Sequence, residues 1–151
     1  MRCLFSAVVI ACLFASGCAR SGEQPQRLPK APISIGGRSL EVEIASANAQ
    51  RQFGMMYRRH LAPDEGMLFV FPDAQERYFY MKNTYSALSI AFIAPGGRIV
   101  KITHMEPLTL TTHSSRLPAM YALEMPLGWF DKNKVNEGDT IGIPESVKAL
   151  D

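Results

Sequence analysis

Apolar residues in this chain come in short runs broken by glycine and proline, a pattern that predicts strands more than helices. Residues 33–35 and 40–44 flank Gly36-Gly37, and Leu40, Val42 and Ile44 alternate with Glu41 and Glu43. This predicts a hairpin with one wet face. Ser46 is placed to cap a short helix with Ala49, Phe53 and Met56 on one side and Gly54 near its end. A loop over 60–64 follows, then strand formers at 67–71 and 78–81. Segments 89–93 and 99–103 around Gly96-Gly97 predict a second hairpin, 120–125 a further strand, 129–135 a helical turn and 140–143 a final strand. The expected fold is mainly β: one small antiparallel sandwich or partly open barrel with one or two short helices.

The first eighteen residues carry a different pattern. Arg2 precedes an apolar run over 4–14, which is short for a bilayer crossing, and Ala15, Ser16 and Gly17 lead into Cys18. That order is the grammar of a cleaved export signal. Small residues directly before a cysteine also resemble the lipobox of bacterial lipoproteins, in which Cys18 becomes the lipidated N-terminus and the membrane partner. The competing reading is a plain signal peptide cut near Ala19. Segment 18–32, with Ser21, Gly22, Pro25, Pro29 and Pro32, reads as a flexible tether, leaving 33–151 as one β-rich domain. The expected location is the cell envelope. Ala19, in place of the Asp that commonly retains lipoproteins at the inner membrane, favours the outer membrane in a host with two.

Composition removes several function classes. The cysteines are Cys3, Cys12 and Cys18, so a cleaved chain keeps only Cys18 and offers no disulfide, thiolate zinc site or cysteine nucleophile. Sixteen Lys and Arg against fourteen Asp and Glu give a formal charge of +2, too little to argue for a nucleic-acid partner. No zinc spacing, P-loop, dinucleotide fingerprint or nucleophile elbow occurs, and no cofactor is expected. Methionine is frequent, and thioethers beside His104 and His113 could bind Cu(I). Methionine more often fills core gaps, and no repeated ligand spacing supports copper.

Three blocks are dense in distinctive residues: 51–58, 64–71 and 79–84, later joined by 121–124 and Gly128-Trp129. They contain Met55-Met56-Tyr57-Arg58 behind Arg51 and Gly54, Glu65-Gly66-Met67-Leu68-Phe69 and Phe79-Tyr80-Met81-Lys82-Asn83-Thr84. Leu88-Ser89-Ile90-Ala91-Phe92, Leu123-Glu124 and Gly138-Asp139 follow. Together they resemble the bacterial and archaeal domain-of-unknown-function family 192 over about 33–143. The resemblance implies a compact, mostly β domain, often behind a signal sequence, and implies no reaction. Ser89 and Tyr80 stand where the family usually has Asp and Trp. If that Asp were a ligand or base in relatives, this chain lacks it.

The candidate ligand-binding residues are Arg58, Met81, Lys82, Asn83 and Glu124. Lys82 and Glu124 adjoin strongly apolar sequence, and a buried charge needs a partner, so a pocket with Lys82 facing Glu124 is one expectation. The plainer alternative has Glu124 on a wet face and Lys82-Asn83 opening a turn with Thr84. Arg58, next to Arg59, either grips an anionic ligand or pairs with Asp64 and Glu65. Gly66 is expected in a turn whose φ suits only glycine. The leading functional expectation is an envelope lipoprotein that binds a small molecule, peptide or envelope component. The alternatives are a hydrolase or lyase using Glu124 as base with Lys82 or Asn83, and a structural or assembly role.

Overall fold

A computed structural model describes residues 24–151 of the chain. The expected signal, Cys18 and the start of the tether lie outside the described residues. In chain order the elements are β1 (Lys30–Ile35), β2 (Arg38–Ala45), α1 (Asn48–Phe53), β3 (Met67–Gln75), β4 (Tyr78–Phe79), β5 (Leu88–Ile93), β6 (Ile99–Met105), β7 (His113–Ser114), β8 (Ala119–Pro126) and α2 (Trp129–Lys132). The fold is mainly β with two short helices, as the apolar pattern predicts.

The hairpin of β1 and β2 turns on Gly36 and Gly37, with φ of 57° and 75°. Ile35 faces Arg38, so the loop is two residues long and needs positive φ at both. Residues 30–32 therefore belong to a strand, not to the tether. The preceding segment is also held: Gln26 Nε2 donates to the carbonyls of Gln50 and Gly54, each at 2.9 Å. In α1 the cap is Ala47, not Ser46, and Gln50 Oε1 accepts the N–H groups of Ser46 and Ala47, both at 3.0 Å. No residue of α1 is buried. The apolar face expected on Ala49, Phe53 and Met56 does not form, because the helix ends at Gly54 (φ 50°) and Met56 lies beyond it.

The main sheet runs β1-β2-β3-β8-β5-β6. It is open and mixed: β2 and β3 are parallel, while the other neighbours are antiparallel. A parallel pair cannot be joined by a tight turn, so residues 46–66 cross over one face of the sheet on the way to β3. The expected strand at 78–81 stops after two residues and pairs with β7 outside the main sheet. The expected strand at 140–143 is reduced to single bridges from Thr140 to Arg98 and from Gly142 to Ser34.

Both faces of the sheet are covered. One carries Leu68, Val70, Leu123 and Met125 against Trp129 and Phe130 of α2. The other carries Met67, Phe69, Ile90, Phe92 and Ala122 against Met55 and Met81 from the crossing segments. Every residue of β5 is buried, which explains why Leu-Ser-Ile-Ala-Phe-Ile is apolar except at Ser89, whose hydroxyl is hydrogen-bonded.

Gly66 departs from expectation in an instructive way. It is not among the positive-φ glycines. Its hydrogen is needed because a Cβ there would strike the Met125 side chain and come within 3.0 Å of the Glu124 carbonyl oxygen. Gly66→Ala should therefore cost about 1–3 kcal/mol, the usual penalty for overpacking. Chemical denaturation would measure it, and an unchanged midpoint would refute close approach as the reason for glycine.

Candidate functional site

Register sets the site. Glu43 on β2 lies opposite Met67 on β3, Met67 opposite Glu124 on β8, and Glu124 opposite Ile90 on β5. Residues aligned across a sheet share a face, so this row places two carboxylates on the side crossed by residues 46–66. Both are buried, Glu43 at 2% exposure and Glu124 at 4%. Glu43 thus leaves the wet face that its alternation with Val42 and Ile44 predicts.

Glu43 is paired. Arg58, whose side chain is 1% exposed, donates through Nη2 to Glu43 Oε2 at 2.7 Å and to the Gln26 carbonyl at 2.8 Å. Its Nη1 donates to Glu65 Oε1 at 2.9 Å. Glu43 Oε2 also accepts the Leu28 N–H at 2.9 Å, and Glu65 accepts from Arg27 at 2.8 Å and from the Ala62 N–H at 3.1 Å. Burial would raise the Glu65 carboxyl, but the Ala62 N–H, Arg27 and Arg58 outweigh it and hold it below the usual range. Arg58 is thus filled by carboxylates of its own chain. Within its guanidinium group, Nε is the one nitrogen buried without a partner among the described residues.

Glu124 is placed differently. Among the described residues no hydrogen bond reaches its carboxyl group, which lines a cavity of about 230 Å3. Burial pushes it up to about 8, with the Arg58 charge pulling the other way, so it is protonated at neutral pH. The walls are Phe53, Phe69, Phe71, Tyr78, Phe79 and Tyr80. Met55, Met56 and Thr84 fill between them. Edge-to-face packing fixes the inner wall: Phe79 meets Phe69 at 5.0 Å and Phe92 at 5.7 Å between centroids. Arg51, at the rim, lies over Phe71, donates to the Val70 carbonyl at 3.0 Å and is paired with Asp151 at 2.9 Å.

The other candidate residues sit apart from this acid. Met81 is buried in the same apolar layer but does not line the cavity. Lys82 is exposed, so the expected pocket with Lys82 facing Glu124 is not present. Asn83 forms a left-handed turn position (φ 55°), with the Thr84 N–H donating to the Met81 carbonyl at 3.1 Å. Its amide donates to Tyr57 Oη at 2.9 Å and its carbonyl accepts the Tyr57 N–H at 2.8 Å, joining two positive-φ residues. The plainer reading of Lys82-Asn83-Thr84 as a turn describes the geometry. Neither Lys82 nor Asn83 lines the Glu124 cavity.

Ser89 precedes Ile90, the strand partner of Glu124, and so faces the opposite side of the sheet. There its Oγ accepts the N–H of Gly128, the N-cap of α2, at 2.9 Å. An acidic residue at this position in relatives would point away from the Glu124 cavity, so its replacement leaves the cavity untouched. His104 and Met105 occupy successive positions of β6, one exposed and one buried, and cannot share a metal site.

Sequence comparison adds the decisive match. The family model DUF192, described as Uncharacterized ACR, covers residues 31–143. The chain belongs to the DUF192 family. A protein from Sinorhizobium meliloti 1021, described as a candidate transcription regulator, is similar at 36% identity and a TM-score of 0.71, over 77% of this chain and 96% of that one. A protein of unknown function from Novosphingobium aromaticivorans DSM 12444 is 26% identical with a TM-score of 0.73, over 77% and 86%. No curated protein matches significantly. Within this DUF192 domain, Glu124 stands out in the sequence as polar among apolar neighbours. Glu43 and the aromatic walls carry no such signal, because they are brought together from segments distant in the chain.

Proposed function

We propose that this DUF192 domain binds a small, largely apolar molecule in the Glu124 cavity, and that it does so as an envelope lipoprotein anchored through a lipid on Cys18. The observation behind the binding role is the cavity itself: aromatic and methionine walls converging on one buried carboxyl with no partner among the described residues. A few placed polar groups in an apolar pocket are what small-ligand recognition requires. The cavity is below the roughly 300–1,000 Å3 typical of drug-sized ligands, which favours a compact molecule. The label on the Sinorhizobium relative is not carried over, because a net charge of +2 offers little to a phosphate backbone.

A thermal-shift screen of compact neutral and charged molecules tests the binding role, with Met56→Trp narrowing the cavity at a half-buried position. Ligands should stabilise the native chain and not the variant. Failure of every compound, or equal shifts in both proteins, would remove the reading. The anchor rests on the order Ala15-Ser16-Gly17-Cys18 after an apolar run. Cys18→Ala should move the protein from the membrane to the soluble fraction, and an unmodified mature N-terminus by mass spectrometry would exclude the lipid. Exposed Leu108, Leu110 and Leu117 favour a second reading, an assembly role, which sedimentation at rising concentration would reveal as self-association.

A further inference from the structure

The charges around the cavity do not all match in the same way. Arg58 is offset by Glu43 and Glu65, and Arg51 by Asp151. Among the described residues Glu124 has neither an ion pair nor a hydrogen bond, yet it lines the cavity with 4% of its surface exposed. Burial keeps this carboxyl neutral even though the Arg58 charge pulls the other way, and a cation arriving beside it would ionise it. Aromatic walls attract cations through their negative faces, and the effect strengthens where water is excluded. The same chemistry already operates at the rim, where the guanidinium groups of Arg51 and Arg77 lie 5.4 and 4.1 Å from the centre of Phe71. Those two groups occupy Phe71, so Phe53, Phe69, Phe79 and the two tyrosines provide the remaining walls.

Building on the binding role above, we propose that the ligand is a small organic monocation, an alkylammonium or quaternary ammonium group whose charge meets Glu124 while its alkyl groups meet the aromatic walls. A neutral ligand leaves Glu124 protonated. A cation displaces that proton to solvent, so the bound pair is neutral overall and one proton is released per ligand at neutral pH. Arg58 supports the exchange by favouring the ionised carboxyl. A metal ion fits poorly, since Glu124 is the single carboxylate of the lining, Arg51 stands at the rim, and no group of three or more His, Cys, Asp or Glu side chains that could hold a metal occurs among the described residues.

Isothermal titration with choline and its neutral carbon isostere, 3,3-dimethylbutan-1-ol, separates the two classes of ligand. Tetramethylammonium and butylammonium are paired in the same way with tert-butanol and butan-1-ol, which match them in heavy-atom count. Each pair is run at pH 7 in two buffers of different ionisation heat, on the native protein and on Glu124→Gln. The cation of at least one pair should bind about tenfold or more tightly than its isostere, as desolvated cation–aromatic contacts allow. It should release close to one proton, and Glu124→Gln should abolish both the preference and the proton release. Isosteres that bind as well as the cations would overturn the proposal and leave a cavity for neutral ligands standing. If no cation binds while members of the thermal-shift screen do, the proposal again falls alone. If nothing binds in either assay, both fall.

Discussion

Replacing Arg58 with methionine should lower stability by about 3–5 kcal/mol, the cost of breaking a buried ion pair from one side. The reason lies with its partner more than with the arginine. Glu43 is 2% exposed and would keep only the Leu28 N–H and a more distant contact, 3.7 Å, with the exposed Arg27. Glu65 would lose one of its two guanidinium partners, but it is more exposed, and solvent would absorb part of that loss. The melting temperature should fall by on the order of 10 °C. Arg58→Met with Glu43→Gln should recover part of the loss, because no bare charge then remains buried. Equal destabilisation by the single and double variants would show that the pair is not the origin. Limited proteolysis gives a second readout, since Arg58 also holds the Gln26 carbonyl and its removal should free the segment before β1 for cleavage.

The same ion pair shows where sequence stops being readable. Arg58 stands beside Arg59 and His60, the composition of an exposed loop, and Glu43 occupies the polar phase of an alternating strand. Period-2 patterning reports which residues share a face. It does not report that residues 46–66 will cross that face and bury it. The hairpin at Gly36-Gly37 was legible because its chemistry is local: two positive-φ positions in a two-residue loop select glycine. The runs that form β3, β5 and β8 are legible because strands covered on both faces are mostly apolar, with Met67–Phe71, Leu88–Ile93 and Ala119–Met125 broken only at Ser89 and Glu124. Their order was not, since nothing periodic in 119–126 announces insertion between β3 and β5. At Gly66 the sequence suggests a need for backbone freedom, whereas the cause is the close approach of Glu124 and Met125. Of the site, Glu124 could be singled out by its setting between Leu123 and Met125. The cavity in front of it required α1, the 78–80 segment and β3 to meet in space.

Stability should fall as pH rises from about 4.5 to about 8, and Glu124→Gln should remove that fall. The Glu124 carboxyl releases its proton near 4.5 in an exposed setting and near 8 in the folded chain. Below 4.5 both states hold the proton, and above 8 neither does, so the group contributes no slope in either range. Between these limits the native state binds one proton more than the unfolded state, and stability therefore declines with pH. Across the whole window the loss is on the order of 5 kcal/mol, taking about 1.4 kcal/mol for each unit of difference. Other groups act in the opposite sense. Glu65 is held below the usual carboxylate range by its hydrogen bonds and arginines, and loses stabilisation as pH drops into the acid range. Burial lowers the His113 imidazole, which gives a small gain as pH rises towards 6.5. The native profile is therefore a rise from acid pH followed by a long decline, and the difference between native protein and Glu124→Gln isolates the declining part. Urea unfolding at intervals from pH 4 to 9 measures it. A difference that stays flat across the window would mean that Glu124 is solvated in the folded protein, and the unpaired acid facing the cavity would no longer describe the site. Arg58→Met, in the same titration, should carry the decline to higher pH, because the charge that favours ionised Glu124 is gone.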